Sequence, residues 1–406
     1  MIRSAAPETG SKTGFVMSDQ TLAGDSLLAL FQRAGYGVIE PPVLQPAELF
    51  LDLSGEEMRR RMFVTLDANG AELCLRPEYT IPVCRTHLAR HDAGTGGEAG
   101  HSRTGAARYC YRGPVFRLRA GETGEFQQAG VESIGATDIA ATDAEILALA
   151  LEGLNSLQIT PARVTLGDVG LLEAVIDALA IPAAARGRLM RAIVAGEARA
   201  VLDAPEDGAR EVAHAGLLAA LEGQDPKAAR AFVEDVLAIA GITSVGGRSA
   251  GDIAERFLAR AAQGAGGIPE EARTVLRRYL AVTGDPDSAA SALRALADEA
   301  GLAIGPALDL FEERAGFLAT RGVDISTLQF RADFARTLDY YTGFIFDIAA
   351  TADPAARPLV GGGRYDRLAR HLDPQADLPA IGCSFWLDRI AACLAAAPDN
   401  ATGDAS

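Results

Sequence analysis

YRGPVFRLRAGETGEFQQAGVESIG, residues 111–135, holds two β-rich runs on either side of a turn at Ala120–Gly124. Two such runs joined by a short Gly-containing turn predict antiparallel neighbours in one sheet. Upstream, MFVTLDANGAELCLRPEY (62–79) repeats the pattern around Asn69-Gly70, the strongest short-range hairpin signal. Before that, the spacing of Leu27, Leu28, Leu30 and Phe31 predicts a helix over 25–33, and GYGVIEPPVLQPAELF (35–50) follows as an extended segment held by Pro41 and Pro42. A helix is expected over 81–90, and the Gly-rich stretch 93–107 reads as a loop. Downstream, Thr142 and Glu145 have capping-box spacing ahead of Ile146, Leu147, Ala150, Leu151 and Leu154 on one helical face.

From Leu171 to about Arg321 the chain turns Ala- and Leu-rich with helical periodicity, interrupted by Gly-rich joints at 244–251 and 263–269. Strand signals stand before it in ARVTLGDVG (162–170) and return in TLQFRADFA (327–335), GFIFDIAA (343–350) and PAIGCSFW (379–386), ahead of a helix over 387–394. The pattern predicts an α+β fold, an antiparallel sheet flanked by helices and split in sequence by an all-helical insertion. The corresponding limits are a disordered tail over 1–17, a discontinuous core over 18–165 and 324–406, and the insertion over 166–323.

The chain of 406 residues, 49% hydrophobic and 23% charged, has an ordinary globular composition, which excludes fibrous and disordered classes. No stretch approaches the roughly 18 apolar residues of a membrane span. The first 17 residues lack the apolar centre of a signal peptide. A soluble cytoplasmic protein with no membrane partner is therefore expected. The net charge of −16 repels phosphate backbones and disfavours general nucleic-acid binding. Five cysteines without a CxxC pair suit reduced thiols, and there is no HExxH motif, so neither a metal nor a cofactor is expected.

Four segments carry more polar residues than strands usually hold: LRPEYT (75–80), FRLRAGETGEFQQAGVES (116–133), ARTLDYYTGFIFD (335–347) and GGGRYDRL (361–368). Singly, each reads as a solvated face. On one sheet, Glu78, Gln128, Glu132, Arg336 and Tyr341 would line a concave site with acceptors for an ammonium, a cation for a carboxylate and a phenol for a ring nitrogen. Such a site suits an amino acid. Gly361–Gly363 lacks the Lys-Ser/Thr of a phosphate loop and reads as a tight turn.

In this order the motifs resemble the catalytic core of a class II aminoacyl-tRNA synthetase, specifically a histidyl-tRNA synthetase, over about residues 20–165 and 324–395. GYGVIEPPVLQPAELF resembles the dimer-forming motif 1. YRGPVFR with EFQQAGVESIG resembles motif 2, and AIGCSFWLDRI (380–390) resembles motif 3. LRPEYT, RTLDYYTG and GGRYD resemble the histidine-specific segments. The resemblance implies that Glu78 and Thr80 hold the histidine amino group with Gln128 beside them, and that Glu132, Tyr341 and Tyr365 face the imidazole. Arg336 would stand near the carboxylate, with Arg117 and Tyr340 completing the histidine-binding set and no catalytic residue among them.

The nucleotide half departs from the synthetase pattern. Arg117 stands at the motif 2 arginine, but Arg119 replaces the glutamate that accepts from adenine, turning an acceptor into a donor. Trp386 stands where motif 3 has a glycine that leaves room for the nucleotide, and Glu122 and Glu125 suit an acceptor stem poorly. Residues 390–406 are too few for an anticodon-reading domain, which needs at least roughly 50 residues. Together these departures resemble the ATP phosphoribosyltransferase regulatory subunit family. That resemblance implies a non-catalytic homodimer core, within a hetero-oligomer with a short-form catalytic subunit, that mediates L-histidine feedback in the first step of histidine biosynthesis, with no tRNA partner. The alternative is an active histidyl-tRNA synthetase-like enzyme that adenylates histidine, which the presence of Arg117, Arg336 and Arg389 favours. An interaction scaffold ranks third.

Overall fold

The computed structural model describes residues 13–51, 59–92, 105–118, 121, 123–203, 244–245, 248–249, 268–336, 340–351, 353 and 356–396. Arg119, Glu122 and most of the expected loop at 93–107 lie outside them, as do residues 1–12 of the expected tail. Residues 13–17 of that tail are helical, because the first helix runs from Thr13 to Arg33. Once a helix is nucleated, further residues add at little cost.

Two compact units are formed, one from residues 1–171, 283–294 and 305–406 and the other from 172–282 and 295–304. The first contains a nine-stranded sheet in the order β1 (Gly37–Val38), β5 (Ala107–Phe116), β6 (Glu125–Ile134), β14 (Ala380–Trp386), β13 (Val360–Arg364), β12 (Phe344–Ala349), β7 (Arg163–Asp168), β11 (Leu328–Arg331), β10 (Thr283–Gly284). A small sheet in the order β2 (Leu44–Pro46), β4 (Glu72–Leu75), β3 (Val64–Leu66) accompanies it. The second unit carries the helices Ala183–Val194, Ala198–Asp203 and Glu270–Leu280, with the short pair β8 (Ser244–Val245) and β9 (Arg248–Ser249).

The expected hairpins are present. β5 and β6 pair antiparallel over their whole length, and β3 and β4 pair across a turn in which Gly70 has φ +83° and the Asp67 carboxylate accepts from the Asn69 and Ala71 N–H groups. The large sheet is mixed rather than wholly antiparallel, since β1 runs parallel to β5 and β11 parallel to β7. These two strands enter after helices or long connections, which free them from hairpin geometry.

Three further expectations are corrected. Gly361–Gly363 is no turn: it forms the middle of β13, buried between β12 and β14. A Cβ on Gly362 would come within 2.6 Å of the Gly382 carbonyl, and one on Gly363 within 2.8 Å of the Tyr341 ring, so glycine is needed for close approach. The helix Ile139–Ser156 begins before Thr142, capped by Asp138, whose carboxylate accepts from the Ala141 N–H. The helix Gly305–Thr320, inside the expected insertion, belongs to the sheet-containing unit.

Arg314 on that last helix is the reason. It is buried and donates to Asp143 at 2.9 Å and to Asp168 at 2.8 Å, while Arg364 at the end of β13 donates to the other oxygen of Asp143 at 2.8 Å and to Asp366 at 2.8 Å. Burial raises the Asp143 pKa and the two guanidinium groups oppose that rise. One carboxylate thus joins two helices to the strand that leads into the candidate site.

Candidate functional site

The site lies over β6, β14 and β13, at the start of the helix Thr80–Asp92. Gln128 and Glu132 are four residues apart on β6 and so face the same side, with Gly130 between them. Glu132 stands opposite Gly382 and Gln128 opposite Trp386. A Cβ on Gly382 would fall on the Glu132 carboxylate, and one on Gly361 would fall on the Arg336 guanidinium. Glycines on two adjacent strands therefore make the floor, leaving the volume above them to long polar side chains.

Glu132 is 1% exposed. Its Oε2 accepts from the Tyr365 hydroxyl at 2.5 Å, and its Oε1 accepts from the Thr80 hydroxyl at 2.8 Å and from Tyr111 at 3.4 Å. Burial pushes its carboxyl up to about 8, with these hydrogen bonds opposing the rise and nearby Glu78 adding to it. Glu78, also buried, caps the helix by accepting from the Thr80 N–H at 2.6 Å and the Ile81 N–H at 2.9 Å. Its pKa is raised by burial, against the pull of those N–H groups and of Arg117.

The Tyr340 ring centroid lies 5.0 Å from that of Tyr341 and 5.9 Å from that of Tyr365. The Arg336 guanidinium is 5.7 Å from the Tyr341 ring; it donates to the Phe346 carbonyl at 3.1 Å and pairs with Asp347. Among the described residues, two buried polar atoms at this site have no hydrogen-bond partner, the acceptor Gln128 Oε1 and the donor Arg336 Nε. All nine expected residues, Glu78, Thr80, Arg117, Gln128, Glu132, Arg336, Tyr340, Tyr341 and Tyr365, are placed along these elements. Thr80, Glu132, Tyr340 and Tyr365 form one hydrogen-bonded and aromatic cluster, whereas Arg117 turns toward a neighbouring region.

Sequence reasoning passed over Arg76, Tyr79 and Tyr111. Tyr79 and Tyr111 stack with ring centroids 4.0 Å apart and planes 7° from parallel, and Arg76 donates to the Tyr79 hydroxyl at 2.5 Å. Buried aromatic residues read first as core, and only the contact of Tyr111 with Glu132 sets this group apart.

The family described as histidyl-tRNA synthetase matches residues 19–245 and 249–390. The ATP phosphoribosyltransferase regulatory subunit of Mesorhizobium japonicum is 40% identical over 383 residues, covering 92% of this chain and 97% of the relative. That of Rhizobium meliloti is 40% identical over 384 residues with the same coverage. The chain belongs to the ATP phosphoribosyltransferase regulatory subunit family. Among solved structures, a histidine–tRNA ligase subunit from Alicyclobacillus acidocaldarius superposes with a TM-score of 0.58 at 22% identity, covering 98% of each chain. An ATP phosphoribosyltransferase regulatory subunit/histidyl-tRNA synthetase from Bacillus halodurans gives 0.58 at 21%, covering 97% of this chain and 82% of the other. At these identities the likeness shows the class II synthetase-like fold.

In this member of the regulatory subunit family, the second region is filled by Trp386. The indole is 7% exposed and lies 5.3 Å from the Phe126 ring, with the guanidinium of Arg389 4.3 Å and that of Arg117 5.1 Å from its centroid. Arg117 also donates to the Pro77 carbonyl at 2.6 Å, and Arg389 to the Pro358 carbonyl at 2.6 Å. The motif 2 and motif 3 arginines are thus engaged with the indole and with main chain. Among the described residues, no helix is long and apolar enough to cross a membrane.

Proposed function

We propose that this chain is a regulatory subunit of ATP phosphoribosyltransferase that binds histidine and carries its occupancy to a separate catalytic subunit. The observation that carries the reading is the pair of unpartnered buried atoms, Gln128 Oε1 and Arg336 Nε, in a site that also holds Glu78 and Glu132. Buried polar atoms are normally hydrogen-bonded, and an acceptor and a donor set among carboxylates match the ammonium and carboxylate of an amino acid. Glu132 with Tyr341 and Tyr365 supplies partners for an imidazole ring. The names of the relatives support the regulatory role, and the histidine pocket gives it a ligand.

Adenylation is not part of this role. Trp386 stands where the synthetase pattern leaves space for the nucleotide, and in the sequence Arg119 replaces the glutamate that accepts from adenine in that pattern. The two defects are independent. Isothermal calorimetry of the full chain with histidine and, separately, with ATP tests the pocket, with histidine binding and ATP silence expected. The role itself is tested by assaying condensation of ATP with phosphoribosyl pyrophosphate by a short transferase from the same organism. The chain should raise activity, and histidine should lower it only when the chain is present. A transferase equally active and equally inhibited alone overturns the reading.

A further inference from the structure

The Tyr111 hydroxyl lies between the buried Glu132 carboxylate and Ser384, which is partly exposed. It is 3.4 Å from Glu132 Oε1 and 2.8 Å from Ser384 Oγ. The ring is held on both sides. It stacks on Tyr79, whose hydroxyl accepts from Arg76, and Arg76 is fixed in turn by the carbonyls of Pro41 and Pro114. Gly130 lies against the phenol oxygen, where a Cβ would not fit. Tyr111 therefore has one proton and little freedom to move, and Ser384 Oγ can either accept that proton or donate its own to the phenol oxygen.

A carboxylate offers about four lone-pair positions. Tyr365 and Thr80 take two of them on Glu132, and Tyr111 takes a third only when its proton points that way. One position is left for a ligand N–H. We propose that Tyr111 is the positioning residue of this pocket, and that by directing its proton to Glu132 or to Ser384 it sets whether the carboxylate meets the ligand as an ionised acceptor. The inference rests on the histidine reading of the site.

The groups that face Glu132 fix the sign of the effect. They are Glu78 ahead of the helix Thr80–Asp92, Cys84 on that helix, Tyr340 and Tyr341, Tyr365 after β13, and Cys383 on β14. Only Glu78 is a second carboxyl, and it favours protonation of Glu132, whereas the hydrogen bond from Tyr111 favours ionisation. Removing the Tyr111 hydroxyl therefore makes Glu132 harder to ionise. Where Tyr111 donates to Ser384, removing the Ser384 hydroxyl leaves Tyr111 only Glu132 to donate to, and Glu132 becomes easier to ionise.

Infrared titration of the carboxylate in the ligand-free full chain, with Glu132→Gln to assign the band, reads this directly. Tyr111→Phe is expected to move the midpoint to higher pH by about half a unit or more, and Ser384→Ala to lower pH. Calorimetry with histidine over about pH 6–10 should follow. Tyr111→Phe should come within about threefold of wild type at the alkaline end and lose affinity at a higher pH than wild type. Thermal melts confirm that both variants fold. Midpoints that move in the same direction, or that stay put, overturn the proposal, and so does a loss of affinity that is uniform with pH. If wild type binds no histidine, the reading of the pocket falls while the infrared midpoints still decide the role of Tyr111.

Discussion

Two neighbouring regions of β6 and β14 have been built in opposite ways. At Glu132 the facing residue is Gly382, and the space above the strands is taken by polar side chains. Four residues along, at Gln128, the facing residue is Trp386, and the space is filled by an indole held among Phe126, Arg117 and Arg389. Absence of a side chain makes one region a site, and presence of a large one closes the other. On the proposed reading, single positions on the same pair of strands keep one half of a two-part binding surface and retire the other.

The comparison breaks if the two regions respond alike to substitution. Trp386→Ala removes a buried aromatic and should cost about 3–5 kcal/mol of stability, read as a fall in denaturation midpoint. Histidine affinity should stay within about threefold, and pyrophosphate exchange should stay at background because Arg119 remains. Glu132→Ala has the reverse profile. Histidine binding should weaken about 10- to 100-fold, the equivalent of roughly 1.5–3 kcal/mol for a charged hydrogen bond, with folding retained. Equal losses of histidine affinity in these two variants would merge the regions into one. The smallest effect sharpens the contrast: Gln128→Met deletes an unpartnered buried acceptor, so stability should hold or rise while histidine affinity falls about fivefold to tenfold. Calorimetry and denaturant melts on the same samples separate the two readouts.

The sequence was most legible where local chemistry decides the structure. Asn69-Gly70 marked its hairpin, and the two runs around Ala120–Gly124 marked β5 and β6, because turn residues and strand formers act over a few positions. The residues of the candidate site stood out because Glu78, Gln128, Glu132 and Arg336 are costly in strand-rich segments and need a reason to be there. Other features depend on what comes close in space. Gly361–Gly363 was misread as a turn because nothing local shows that Arg336, Phe346 and Tyr341 press on that strand. Thr142 was read as a cap because its spacing to Glu145 fits, yet Asp138 competes for the same helix end. Arg314 looked like one more charge on an Ala-rich helix, and only its buried partners Asp143 and Asp168 reveal that its helix belongs to the sheet-containing unit.

The ion network around Asp143 also bears on the order in which the chain is made and folded. Asp143 lies 171 residues before Arg314 and 221 before Arg364. At roughly 5–20 residues per second, a ribosome needs about 10–45 s to travel from Asp143 to Arg364. Until both cations have emerged, burying this carboxylate carries a desolvation penalty that is at most partly offset. The helix Ile139–Ser156 consequently cannot settle in its final place early, and closure of the sheet-containing unit waits for the C-terminal strands. That wait leaves apolar β-strand segments of the first half exposed during synthesis, the condition under which unpaired strand edges aggregate.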